Sequence, residues 1–342
     1  MALREKVTES ISKYSAIPEE KADKKRRFYY KNYEDNLYCP LGGVALKAYD
    51  EGSGAETRHT EKIIKGKLIQ SPAKMASIVS SSAMTFNLLG NNPINVISDK
   101  LVPGGIYEVQ YEKQMNTVKK GSNPANLDAF LSNKHKKVAV FCEMKFLEWL
   151  VSPGALKDSY LDENYFFKPD NSAVGHPIDA YSVFYDVIMN LTARIVPDKK
   201  KHRHNLHQSI FTHYDAWQML KHLLAIYNYT SFVTKDAINS FGDAPSMAGC
   251  YDKITLLNVV NEFPAECIED LTARDEYAKI LEQEQEEAQI FIDIINRSEI
   301  PHLFDNNCNA GIEIKYVSAK QFADEIEMPK DKRDYLKWYF VV

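Results

Sequence analysis

Cysteine is scarce in this 342-residue chain, and its spacing pairs nothing: Cys39, Cys142, Cys250, Cys267 and Cys308 make an odd set of 5 with no CxxC. That pattern speaks against a zinc ribbon and fits a reducing compartment better than a disulfide framework. Long apolar runs are lacking too. No stretch reaches the roughly 18 uninterrupted apolar residues of a membrane span. The first residues, MALREKVTESISKY, alternate charges where a secretory signal needs an apolar segment. No membrane partner is therefore expected, and the expected location is the cytoplasm. Net positive charge is also missing. At a formal −5, any binding of nucleic acid must act through a local basic surface and not through the average charge. The chain has no GxxxxGK[ST] phosphate loop, no glycine-rich dinucleotide fingerprint and no GxSxG nucleophile elbow.

What is present is ordinary globular material, 44% hydrophobic and 26% charged, enough for one large domain or two modest ones. Residues 1–35 join a basic cluster to tyrosines in KADKKRRFYYKNYEDNLY, a solvated arm or a phosphate-contacting one. Residues 41–61 read as a loop-rich connection. Over 71–90, SPAKMASIVSSSAMTFNLLG predicts a helix: Ser71 can cap it, Pro72 suits its first turn and Gly90 can stop it. Strands are predicted over 105–118, 125–133 and 136–150, separated by turn-forming stretches. Apolar residues at three- and four-residue spacing predict helices over 177–195, 214–232 and 275–298, the last with an acidic outer face. GIEIKYVS (311–318) predicts a late strand, and the aromatic tail RDYLKWYFVV is expected to pair with or pack on the sheet.

The chemistry is carried by VAVFCEMKF, residues 138–146. Val138, Val140, Cys142, Met144 and Phe146 share a continuously apolar face, the core face, whereas Ala139, Phe141, Glu143 and Lys145 share the other. Residues two apart on one face lie about 6–7 Å from each other, so Glu143 and Lys145 emerge together. In the preceding strand Asn126, Asp128 and Phe130 share a face, and a hairpin brings Asp128 beside Glu143. Two neighbouring carboxylates repel each other and a half-buried ammonium loses hydration. A divalent cation removes that cost, because Mg²⁺ takes one or two carboxylates and completes its shell with water and phosphate oxygens. This is the composition a phosphodiester hydrolase needs.

The arrangement of Asp128 in NLDAF with Glu143 and Lys145 in CEMKF, on adjacent strands after a helix, resembles the PD-(D/E)xK nuclease superfamily. More specifically, SSSAMTFNLLG, YEVQYE, NLDAF, CEMKFLE and DAWQMLKHLLAIYN are similar to restriction-endonuclease-like bacterial proteins within it. The likeness runs from about residue 77 to about residue 230. Leu127 stands where the motif's name has proline. The resemblance implies an α/β fold, a restriction-endonuclease-like core with a central mixed β-sheet flanked by helices, plus helical additions. The expected divisions are an N-terminal extension over 1–70 in the same globule, a core over 71–240, and a mainly helical region over 241–342 with a late strand. It implies Asp128 and Glu143 as ligands of Mg²⁺, for which Mn²⁺ substitutes, and Lys145 as the catalytic lysine. Glu108, ahead of Glu112, is the expected further acid, and Gln218 a polar helix residue facing the site. The implied activity is metal-dependent hydrolysis of DNA phosphodiester bonds, of restriction type or related, and the resemblance suggests a homodimer. The competing class is a non-catalytic nucleic-acid-binding or scaffold protein that keeps the fold.

Other candidates are weaker. Glu313 and Lys315 repeat the ExK spacing on GIEIKYV, with the solvated face of a strand as the simpler account. In KKKHRHNLHQS, His202, His204 and His207 lack the aspartate that a metallo-hydrolase motif places where Leu206 stands. Lys199, Lys200, Lys201 and Arg203 form a basic loop able to contact DNA phosphates, each contact adding about one unit to the salt dependence.

Overall fold

The computed structural model describes residues 2–51, 55–64, 67–115, 124–163, 166, 176–199, 205–232 and 247–340. Their elements in chain order are α1 (Leu3–Ser15), α2 (Gly43–Glu51), β1 (Thr60–Ile64), β2 (Lys67–Ser71), α3 (Ser81–Leu89), β3 (Ile94–Val96), β4 (Gly105–Met115), β5 (Ala125–Asn133), β6 (Val138–Lys145), β7 (Leu156–Lys157), α4 (Ala180–Leu191), β8 (Thr192–Pro197), β9 (Asn205–Ser209), α5 (Ala216–Thr230), β10 (Lys253–Val260), α6 (Leu271–Arg297), α7 (Ile300–Cys308), β11 (Gly311–Ser318), α8 (Ala319–Asp324) and α9 (Lys330–Phe340).

A six-stranded mixed sheet organises them in the order β11-β10-β6-β5-β4-β3. The strands β3 to β6 form an antiparallel meander, and β10 runs parallel to both β6 and β11. This is the restriction-endonuclease-like arrangement of a mixed sheet flanked by helices. It also explains why β6 and β10 read as unbroken apolar runs: strands inside a sheet with both faces covered have no wet side. Val140, Cys142, Met144 and Leu257 pack in one core with Phe86 of α3 and Tyr339 of α9. Ala139, Phe141 and Leu256 pack in the other with Leu223 of α5, Phe291 of α6 and Phe304 of α7. The first face is the expected core face; the second is core as well, up to the point where Glu143 appears.

Several elements differ from expectation: α2 occupies Gly43–Glu51 within the stretch expected to be loop-rich, and the helix predicted over 177–195 stops at Leu191, where β8 takes over. Ser71 and Pro72 do not open a helix; Ser71 ends β2, and α3 begins ten residues later, where the Ser80 hydroxyl accepts from the Ala83 N–H at 3.2 Å. Ser80 is the better cap because a long apolar run follows it directly, with every residue from Ser82 to Leu89 buried. The strand β10 went unpredicted, since ITLLNVV lacks the alternation that marks a half-buried strand. The aromatic tail packs on the sheet as expected, in the form of the helix α9 over Lys330–Phe340. Its Lys332 ammonium donates to the Leu88 carbonyl at 2.8 Å, and Asn87 donates to the Tyr339 hydroxyl at 2.8 Å. Both contacts secure the end of α3. No helix among the described residues is long and apolar enough to cross a membrane.

Candidate active site

Glu143 and Lys145 leave β6 on the face covered by α5. This helix starts at Asp215, whose carboxylate accepts from the Gln218 N–H at 3.0 Å. Gln218 and His222 lie one turn apart, four residues in sequence, and so project from one side of it. All four side chains meet. The Gln218 amide nitrogen donates to Glu143 Oε1 at 2.7 Å, and its oxygen accepts from Lys145 Nζ at 2.6 Å. Lys145 Nζ is also 2.7 Å from Glu143 Oε1, and His222 Nε2 is 3.0 Å from Glu143 Oε2. Burial pushes the Glu143 carboxyl up, but Lys145 and His222 outweigh it and bring it down to about 2. Lys145 is shifted the opposite way: burial lowers it, and the Glu143 charge more than restores it. The site therefore pairs a buried carboxylate with a partly exposed ammonium, each favouring the charged form of the other.

Asp128 approaches from β5. Phe130 pairs with Phe141 and Ala129 with Cys142, so the next step along the ladder sets Asp128 opposite Glu143. Asp128 Oδ2 accepts from the Met144 N–H at 2.6 Å. Burial raises the Asp128 carboxyl well above its ordinary value, and the charges of Glu143 and Glu112 add to the effect.

Glu112 arrives through a break in β4. Tyr111 pairs with Ala129 and Lys113 with Leu127, leaving Glu112 across from Asp128. Glu112 has a φ of 47°, the left-handed region that side chains other than glycine rarely adopt. Alternation fails on both strands at this level. Tyr111 and Ala129 belong to one core, whereas Met115 and Leu127, at even spacing from them, belong to the other. Strict alternation would leave Glu112 on the exposed face with Glu108 and Gln110; the break turns it inward. It accepts a hydrogen bond from Asn126, and burial lifts its carboxyl to about 7, with Asn126 opposing and Glu56 adding to the rise. Glu108 stays outside, half exposed and paired with Lys134 at 3.1 Å.

Glu112, Asn126, Asp128, Glu143, Glu148 and Gln218 line a cleft of about 590 Å³, whose other wall includes Glu56, Lys74, Arg4 and the serines that begin α3. Glu56 is buried; it pairs with Lys74 and accepts from the Ser82 hydroxyl at 2.7 Å. Glu56 and His222 were not singled out in the sequence. His222 could have been, since it repeats the face of Gln218 after one turn. Glu56 carried no signal, lying in a stretch that read as a loop.

The remaining candidates lie elsewhere. Lys199 is exposed, and Lys200, Lys201, Arg203, His202 and His204 lie outside the described residues. His207 is buried on β9, its Nδ1 3.1 Å from the Thr192 hydroxyl. Glu313 is exposed and pairs with Lys315 at 3.0 Å, while Lys315 donates to the Leu101 carbonyl.

Among the described residues no three His, Cys, Asp or Glu side chains form a ready-made metal cage. The donor set still suits a hard divalent cation. Asp128 and Glu143 offer carboxylate oxygens from adjacent strands, the repulsion that raises Asp128 is what such a charge relieves, and Mg²⁺ binds through one or two carboxylates with water and phosphate completing its shell. No curated protein and no solved structure matches this chain. The family model described as Restriction Endonuclease associating with ARP matches residues 12–244, the stretch that includes Asp128, Glu143, Lys145, Gln218 and His222, and the chain belongs to that family.

Proposed function

We propose that this protein is a Mg²⁺-dependent endonuclease that hydrolyses DNA phosphodiester bonds, with Asp128 and Glu143 as the metal ligands and Mn²⁺ able to substitute. The observation that carries the proposal is the junction of Glu143, Lys145, Gln218 and His222 beside Asp128 in an open cleft. Bound there, the cation polarises the phosphoryl oxygen and lowers the pKa of a coordinated water. The chain's own residues do the rest. Asp128, fixed by the Met144 N–H, and Glu143, fixed by His222, present their oxygens in a set direction. Lys145, held by Gln218, orients the attacking water and balances charge building on phosphorus. Glu112 and Glu56 add negative potential to the cleft. The family's description names an association with ARP, which we carry over as a partner of this chain.

The test is incubation with plasmid DNA, with and without Mg²⁺ or Mn²⁺, beside Asp128→Ala and Lys145→Ala variants. Metal-dependent nicking or linearisation, lost in both variants, is expected. Full cleavage by a folded Asp128→Ala protein would sink the assignment, and inactivity on every DNA form and metal would favour a non-catalytic binding protein.

A further inference from the structure

Residues 21–31 close a small hairpin of their own. The Asp23 N–H donates to the Tyr29 carbonyl at 2.8 Å, the Lys31 N–H donates to the Lys21 carbonyl at 2.8 Å, and Ala22 bridges to Tyr30. At its tip stand Lys24, Lys25, Arg26 and Arg27, four cations in a row in a chain of net charge −5. The tip is pinned from behind. Phe28 turns the chain with a φ of 69°, a left-handed conformation that bulky side chains rarely adopt, and packs against the core. The Arg27 guanidinium lies 4.6 Å from its ring centroid and pairs with Glu9, while Arg26 donates to the Gln70 carbonyl. Lys21 pairs with Asp35. Lys24 and Lys25 are exposed, and among the described residues neither has a carboxylate partner.

The hairpin is docked where the wall of the acidic cleft begins. Tyr29 bridges to Ser77, the Tyr30 N–H donates to the Ala76 carbonyl at 2.9 Å, and the Ile78 N–H donates to the Phe28 carbonyl at 3.1 Å. Tyr29, Ser77 and the exposed Arg4 line the same cleft as Asp128 and Glu143. Negative charge is thus concentrated inside the cleft and unpaired positive charge stands on its margin. That division suits a polyanion of which one phosphate enters through a bound cation while its neighbours meet ammonium groups.

We infer that the 21–31 hairpin is a phosphate clamp, with Lys24 and Lys25 holding the backbone of duplex DNA beside the phosphate that enters the cleft. The inference rests on the nuclease reading above and adds how that substrate is held. Contacts to phosphate fix register without reading sequence, so the clamp sets where the duplex lies and leaves the choice of bases to other side chains. Because the hairpin is already pinned to the cleft wall, its backbone has little left to order when DNA arrives.

The experiment measures binding of a labelled duplex by fluorescence anisotropy across a salt series, with Ca²⁺ in place of Mg²⁺ to suppress cutting. The variants are K24A/K25A, the reversal K24E/K25E, and K279A/K330A, which removes the same charge from exposed positions on α6 and α9. Each neutralised phosphate contact contributes about 0.9 to the logarithmic salt slope, so K24A/K25A is expected to lose about 2 in slope and about tenfold in affinity at low salt. K24E/K25E should bind more weakly still, and K279A/K330A should match wild type. Calorimetric Mn²⁺ binding and the thermal midpoint should stay at wild-type values throughout, since Lys24 and Lys25 pair with no carboxylate in the folded chain. Wild-type affinity and slope in K24E/K25E overturn the clamp alone and leave the hairpin to solvent or to an acidic protein. An equal loss in K279A/K330A also overturns it, because net charge and not position then governs binding. Wild-type protein that binds no duplex overturns the clamp and the nuclease reading together.

Discussion

Gln218 donates to Glu143 Oε1 at 2.7 Å while its own amide oxygen accepts from Lys145 at 2.6 Å, so one neutral side chain on α5 sets the position of both charged groups on β6. Neither bond alone is large, a neutral-to-charged hydrogen bond contributing about 1.5–3 kcal/mol. Their joint effect is geometric. Gln218→Leu fills the space but releases both partners, and should lower kcat on a fixed duplex about 10- to 100-fold, the range seen when a residue supporting metal ligands is removed. Duplex affinity in Ca²⁺ should hardly change. Retained kcat would show that Lys145 and Glu143 position themselves.

Glu287 of α6 anchors the loop that leads into α5. Its carboxylate accepts from the Thr212 N–H at 2.9 Å and from the N–H groups of His213 and Tyr214 at 2.8 Å. Burial raises this carboxyl, and the backbone N–H groups more than reverse the rise, leaving it lowered. Glu287→Ala strips three backbone donors of their partner and should destabilise by about 2–4 kcal/mol, read from the urea midpoint. Glu287→Gln keeps one acceptor and should lose less. Because the folded-state value is depressed, the stabilisation is present above the ordinary carboxylate range and fades as pH falls through it; the alanine variant should lack that acid-side loss.

Much of this arrangement was legible in the sequence, and what escaped has a common cause. The Glu143–Lys145 strand and its pairing with Asp128 follow from a two-residue period and a short connection, which are local. Gln218 follows from the family resemblance, since helical periodicity alone leaves a polar residue there facing either the site or water. Glu112 depends on a left-handed backbone at a residue that is not glycine, which no letter announces; strict alternation sets Glu108 and Glu112 on the same face and does not choose between them. The strand β10 pairs parallel to β6 across more than a hundred residues, and its apolar run fits a helix as well as a strand. Ser71-Pro72 imitates a helix start while ending a hairpin, and the choice between them is made by Glu56 and Lys74, whose backbones meet only in the folded chain.

Glu284 of α6 gives a pH dependence of the opposite sign. Burial raises its carboxyl to about 8, with the Tyr316 hydroxyl opposing, Glu262 and Glu287 adding repulsion and Lys145 drawing it slightly down. The unfolded chain releases this proton near the ordinary value of 4.5. Between those limits the folded state binds more protons, so stability declines as pH rises, by at most about 1.4 kcal/mol per pH unit from this group. Glu284→Gln keeps the neutral form and should flatten that part of the profile. Thermal midpoints at about pH 5, 7 and 9, the ends and middle of the window, decide the matter; parallel curves for both proteins would refute it.

At Asp128, stability and function should oppose each other. Without a cation, Asp128 is pushed above its ordinary value by burial and by the charges of Glu143 and Glu112, so its negative form is an electrostatic burden on the folded chain. Asp128→Asn removes the charge while keeping an oxygen to accept from the Met144 N–H, the bond seen at 2.6 Å. The metal-free variant is expected to melt higher than wild type, by a few degrees for about 1 kcal/mol in a chain of this size. The same change should abolish calorimetric Mn²⁺ binding and plasmid cleavage, because one of the two oxygen donors has lost its charge. A variant that melts lower without metal would mean that Asp128 is held by contacts stronger than the repulsion around it. One that melts higher and still binds Mn²⁺ would shift the ligand role to Glu112, which sits across the strand pair.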